Sequence, residues 1–175
     1  MTTPVMPKLV GTRVKRREDP RLIPGRATYV DDVQLPGMLH LAFKRSDIAH
    51  GQIVSIDTSA AEAMDGVEAV FTGEQVKAML AGPMPLLSPF PAPAHYPMAV
   101  DRVRYVGEPI AVVAATSYYT ARDAIDAIVV EYDPLPAVVD PERAMAGVPA
   151  IVHPGFTNNP GQSNTNIALA IPAGT

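Results

Sequence analysis

The chain has 175 residues, 47% of them hydrophobic and 18% charged, enough to bury one core and too apolar for a disordered segment. A formal net charge of −4 gives no footprint for nucleic acid, and no apolar run approaches the roughly 18–20 residues a membrane span needs. Cysteine is absent, which removes disulfides, thiolate metal sites, iron–sulfur ligation and cysteine nucleophiles together. Residues 1–10 lack a charged stretch followed by an apolar core, so no secretory signal is read there and the cytoplasm is the expected location.

In chain order, residues 13–21 (RVKRREDPR) are dense in charge and read as an exposed lead-in arm. Residues 25–32 (GRATYVDD) predict a short strand closed by acidic turn residues, and Pro36-Gly37 marks a turn. Over residues 38–45 the pattern alternates: Leu39, Leu41 and Phe43 share one face, His40, Ala42 and Lys44 the other. Period two predicts a half-buried strand with the large apolar side chains inward and His40 on a solvated face. A strand at 52–57 (QIVSID) follows. Ser59 and Glu62 then stand at the spacing of a reciprocal capping box, and Gly66 can stop the helix they open. Residues 67–71 (VEAVF) predict a strand, and Thr72 with Gln75 offers a second capping box.

Nineteen prolines are the compositional outlier. Many fall in residues 82–97 (GPMPLLSPFPAPAHYP), where missing backbone donors forbid a long helix or a central strand. A loop this long inside a compact domain is usually functional or mobile, and it is expected to be the most mobile internal segment. Beyond it, residues 110–115 (IAVVAA) predict a buried strand and Ser117 or Thr116 an N-cap. The next helix carries Tyr118, Ala121, Ala124, Ile125 and Ile128 on one stripe and is expected to be the main core-forming helix. Residues 129–132 return as strand and 140–145 predict one helical turn. Strand–helix–strand therefore occurs twice, which predicts an α+β domain of two β-α-β units around a mixed sheet. Residues 147–166 read as a polar, Pro- and Gly-rich linker, and 167–171 (IALAI) as the opening of a further strand. A chain that crosses a linker, opens a strand and stops looks truncated.

Few residues carry catalytic patterning. His40, His50, His95 and His153 stand far apart, with no second ligand at helical or hairpin spacing, so structural or surface roles are expected over metal ligation. Asp31 and Asp32 are adjacent and read as turn residues, because neighbours on a strand point to opposite faces. Gly107 is single and cannot form a phosphate loop, and Glu108 beside Pro109 reads as a strand-entry turn. The basic residues of the arm could meet an anion or a partner subunit, but Glu18 and Asp19 dilute them into a solvated arm.

Two long stretches nevertheless resemble a known family. Residues 25–76 (GRATYVDDVQLPGMLHLAFKRSDIAHGQIVSIDTSAAEAMDGVEAVFTGEQV) are similar to the opening of the large subunit of molybdenum hydroxylases. These are the xanthine dehydrogenase, aldehyde oxidase and aerobic carbon monoxide dehydrogenase family. Residues 105–145 (YVGEPIAVVAATSYYTARDAIDAIVVEYDPLPAVVDPERAM) resemble the second half of the same α/β-hammerhead domain. The resemblance implies an arm at 1–24, the hammerhead at 25–146, a linker at 147–166 and the start of a molybdopterin-binding domain at 167–175.

For function, it implies an oxidoreductase that hydroxylates a carbon centre, or oxidises carbon monoxide, with oxygen from water. The implied cofactor is molybdenum–molybdopterin, often as the cytosine dinucleotide, with 2Fe-2S clusters and FAD on partner subunits. No catalytic, cofactor-binding or metal residue of the family maps onto this chain, so this segment is expected to be inactive alone and to bind no cofactor. The proline loop would line a substrate channel, with Leu87, Phe90 and Tyr96 as candidate lining residues; from the residues alone a surface loop with a few apolar anchors is the preferred reading. The competing expectation is a free-standing hammerhead scaffold or interaction module without catalysis.

Overall fold

The computed structural model describes residues 11–85, 92–158 and 161–168. The boundary between two compact units lies between Met38 and Leu39. The first unit holds helix α1 (Asp19–Leu22), which opens with Pro20 in its first turn, and a 3-10 turn at Val30–Asp32. The strand expected at 25–32 does not form. The Asp32 carboxylate accepts the Tyr29 backbone N–H at 2.9 Å, and this local bond replaces a ladder partner. Two exposed ion pairs, Arg16–Asp19 and Arg21–Glu18, occupy part of the arm's charge.

Among the described residues the second unit has two three-stranded antiparallel sheets. Strands β1 (His40–Arg45), β5 (Pro109–Ala115) and β3 (Val67–Thr72) form one in the order β1-β5-β3. Strands β4 (Arg102–Val103), β2 (Gly51–Asp57) and β6 (Val129–Pro134) form the other, in the order β4-β2-β6. The α+β class and the two strand–helix–strand orders hold, but the expected mixed sheet is replaced by two antiparallel ones. Each unit's two strands part company: β2 and β3 lie in different sheets, as do β5 and β6.

Helix α4 (Tyr118–Ala127) covers one face of the β1-β5-β3 sheet, and Ala121, Ala124, Ile125 and the C-capping Ile128 are buried against Ala42, Val70, Val113 and Ala115. Small side chains on both sides let helix and sheet approach closely. Tyr118 departs from the expected stripe. It stands at the first helical position, 53% exposed, with its ring edge-on to Tyr119. A second core gathers Ala99, Val103 and Ile110 with Ile48, Ile53 and Tyr132; Ile56 packs against both cores.

The faces of β1 are inverted relative to expectation. Ala42 is 6% exposed, whereas Leu41 is 58% and Phe43 38% exposed, and His40 lies half-buried on the inward face. Alternation alone reveals two faces; helix α4 selects the one with the small residue, because its own alanines leave no depth for leucine or phenylalanine.

The caps divide similarly. Thr72 and Gln75 form the expected reciprocal box at the start of α3 (Gly73–Met79), and Ser117 Oγ accepts the Thr120 N–H at 3.0 Å. At α2 (Ser59–Glu62) the box fails. The Asp57 carboxylate takes both the Ser59 hydroxyl, at 2.6 Å, and the Ser59 N–H, and Thr58 Oγ1 donates to Glu62 Oε1 instead. A charged acceptor two residues upstream outcompetes the cap, and the same hydroxyl holds the Asp57 carboxyl below its ordinary range. Gly66, at φ +83°, ends the segment after α2 and presents its carbonyl to the Thr116 N–H at 2.9 Å.

The turn at 140–145 is α5 (Pro141–Met145), capped by Asp140 Oδ1. In the segment that follows, Asn166 acts as a clasp. Its amide donates to the Ala144 and Ala150 carbonyls, and its oxygen accepts the Val152 N–H. Most of the strand expected at 167–171 lies outside the described residues.

Candidate functional site

A cavity of about 560 Å³ in the second unit opens where the described end of the proline loop meets α3 and the turn before β5. Its walls come from four places: Lys77 on α3, the return segment with His95, Tyr96 and Met98, the turn with Arg104 and Glu108, and Val152 with His153.

Local chemistry sets each wall. The Met84 N–H donates to the His95 carbonyl at 2.8 Å, so the flanks of the proline segment are tied together. Met98 and Ala99 are buried, and their backbone crosses the first residue of α3. A Cβ on Gly73 would stand 1.8 Å from the Ala99 carbonyl oxygen, so only glycine fits beneath this crossing. The Lys77 ammonium lies 5.4 Å from the Tyr96 ring centroid, a cation–π contact that positions the ring at the cavity wall.

The opposite wall is a tight turn. Gly107, at φ +88°, donates its N–H to the Ser46 carbonyl at 2.7 Å, and Glu108 returns its carbonyl to the Ser46 N–H at 2.9 Å. The Glu108 carboxylate accepts the Arg104 backbone N–H, which closes the turn from within. The strand-entry reading of Glu108 therefore stands, and its carboxyl also faces the cavity. Burial holds that carboxyl above its ordinary range, opposed by the Arg104 N–H and guanidinium. The guanidinium itself is held by the Val152 and Arg102 carbonyls and by Asp101, at 3.1–3.5 Å. His153 is held below its ordinary range by burial first, then by the charges of Arg104 and Arg102. The site thus brings two basic side chains, Lys77 and Arg104, and two acidic ones, Asp101 and Glu108, together with histidine and tyrosine rings, a mixed polar and aromatic wall with no excess of positive charge to hold an anion.

Of the residues singled out in the sequence, Tyr96 lines this cavity, and Leu87 and Phe90 lie outside the described residues. Lys77, Arg104, Glu108 and His153 come together from positions up to 76 residues apart, and no local spacing could reveal that meeting. His153 falls in the stretch read as linker. Among the described residues no group of three or more His, Asp or Glu could hold a metal ion. Gly107 spends its N–H on Ser46. The described residues offer no ligand set for a metal–pterin group. Among them, too, no helix is long and apolar enough to cross a membrane.

Two antiparallel sheets bridged by short capped helices define a small α+β domain of the hammerhead class. The family model described as "Aldehyde oxidase and xanthine dehydrogenase, a/b hammerhead domain" matches residues 24–136, and the chain belongs to that family. It is 43% identical over 133 residues to the carbon monoxide dehydrogenase large chain of Hydrogenophaga pseudoflava, covering 76% of this chain and 16% of that one. It is 40% identical over 159 residues to the nicotine 6-hydroxylase large subunit of Paenarthrobacter nicotinovorans, covering 83% and 18%. A crystal structure of Cu,Mo-CO dehydrogenase superposes with a TM-score of 0.73 at 42% identity, over 81% of this chain and 17% of that one. The chain thus spans less than a fifth of the length of these relatives.

Proposed function

We propose that this chain acts as the hammerhead domain of a molybdenum hydroxylase large subunit and shapes the approach to that enzyme's substrate site. The observation that carries the reading is the family match over residues 24–136, which takes in the proline loop and most walls of the cavity beside it. In this reading residues 1–24 are an arm, 25–146 the hammerhead, 147–166 the connection onward and 167–175 the start of a molybdopterin-binding domain. The whole enzyme is a cytoplasmic oxidoreductase that hydroxylates a carbon centre, or oxidises carbon monoxide, with oxygen from water. Its molybdenum–molybdopterin, in the cytosine dinucleotide form, is held outside this segment, and 2Fe-2S clusters and FAD sit on partner subunits. Leu87, Phe90 and Tyr96 line the channel. For Tyr96 the support is its half-buried ring, braced by Lys77 at the cavity wall.

The test is a chimera in which this chain replaces the matching stretch of the Paenarthrobacter nicotine 6-hydroxylase large subunit. The chimera is expected to incorporate molybdenum and hydroxylate nicotine. Tyr96→Ala is then expected to raise KM with molybdenum content unchanged. A chimera that folds and assembles but shows no turnover overturns the proposal, and an unchanged KM removes Tyr96 from the channel.

A further inference from the structure

The two sheets treat their outer faces differently. In the β4-β2-β6 sheet, Ile53, Ile56, Val130 and Tyr132 turn inward, while Gln52, Ser55, Asp57, Glu131 and Asp133 turn outward, with Val54 at the β2 bulge and Val129 at the start of β6 as isolated exposed apolar side chains. Ser55 even donates to Glu131 across the outer face, at 2.9 Å. That alternation is what an antiparallel sheet with one solvated side requires.

The β1-β5-β3 sheet has no such side. Its inward rows run Ala42–Val113–Val70 and its neighbours, under α4. Its outward rows run Leu41–Ala114–Ala69 and Phe43–Val112–Phe71, all apolar and none fully buried. The larger side chains of β1 point away from the domain's own core. At one end of the face the Arg45 guanidinium stands over the Phe43 ring, 5.8 Å from its centroid, and donates one N–H to the Gly107 carbonyl, so a cation borders the apolar rows there. Contiguous apolar surface left exposed on a sheet face marks a contact site.

We infer that this outer face, Leu41, Phe43, Ala69, Phe71, Val112 and Ala114, is a docking surface for the remainder of the large subunit. It takes an apolar patch of the part that follows the matched stretch in the relatives. The inference rests on the proposed function. Those relatives carry more than four-fifths of their length outside that stretch, which supplies an occupant within the same chain. The occupant is apolar where it meets the middle of these rows, because an ion there would lose its water without gaining a partner; charge belongs at the rims, beside Arg45 and Glu68.

Hydroxyl-radical footprinting of the 175-residue chain and of the assembled nicotine-hydroxylase chimera tests it. Labelling of Leu41, Phe43 and Phe71 is expected to fall several-fold in the chimera, while Tyr119 keeps its labelling. Leu41→Lys is expected to leave the melt of the free chain unchanged and to block assembly of the chimera; Gln52→Lys, on the solvated face, is expected to do neither. A face that stays labelled in an assembled, active chimera overturns the docking and leaves the proposed function standing. Shielding already complete in the free chain at every concentration assigns the face to the chain's own arm, and shielding that grows with concentration assigns it to a second copy; either overturns the inference. A chimera with the unaltered sequence that fails to assemble overturns the proposed function and the docking with it.

Discussion

Gly73 is held by its neighbour rather than by its own conformation. Adding one carbon there drives it into the Ala99 backbone carbonyl, which cannot swing aside as a side chain could. Gly73→Ala is therefore expected to cost about 1–3 kcal/mol in urea melts through overpacking. Gly82→Ala, with open space around it, is expected to shift stability by less than about 0.5 kcal/mol. Equal small shifts at both positions would mean that the 98–99 crossing is misplaced.

Two cavity groups have opposite signs against pH. Burial raises Glu108, so the unfolded chain gives up this proton first as pH climbs past 4.5. Stability is lost as pH rises from there through the folded value, and Glu108→Gln, which still accepts the Arg104 N–H, removes that loss. His153 is lowered, so the unfolded chain takes a proton first as pH falls below 6.5. Its contribution is complete above 6.5 and fades as pH drops through the folded value; His153→Gln flattens that limb. Melts of both variants across pH 4–7 read the two effects separately, and a slope unchanged from the parent rejects the assignment.

Among the elements, α4 carries the core and its sequence shows why. Alanines at 121 and 124 permit a close approach to the sheet, and Ile125 and Ile128 fill what remains. Ile125→Ala is expected to cost about 2–5 kcal/mol, transfer and cavity together. Asp126→Ala, next in sequence and exposed, is expected to change stability by less than about 0.5 kcal/mol. Ser117→Ala, which leaves the Thr120 N–H without its acceptor, is expected to cost about 0.5–2 kcal/mol. Urea melts showing the same small cost for Ile125→Ala and Asp126→Ala would mean that the helix does not pack on β5.

For the molecule as a whole, the expectation is a chain that folds without a bound metal. The two cores are built from its own residues, and no metal-holding cluster occurs among the described ones. Elemental analysis of the purified 175-residue chain is expected to find no stoichiometric molybdenum; a molar equivalent would place a site here that the described side chains do not show.

The sequence by itself determined the elements whose signals are local. The Thr72–Gln75 box, the Ser117 cap, the α4 stripe from Ala121 and the strand at 110–115 all rest on residues within a turn or two of one another. The family resemblance was legible for the same reason, since it lies in contiguous stretches. Tertiary structure decided three things that spacing cannot carry. It split the β-α-β units between two antiparallel sheets, because sheet partners are chosen across the fold and not along the chain. It turned Ala42 inward and Leu41 and Phe43 outward, because period two has no sign until a helix covers one side. It also gathered Lys77, Tyr96, Arg104, Glu108 and His153 around one cavity, a meeting created only when the backbone crosses over Gly73 and the segment after α5 folds back under the Asn166 clasp.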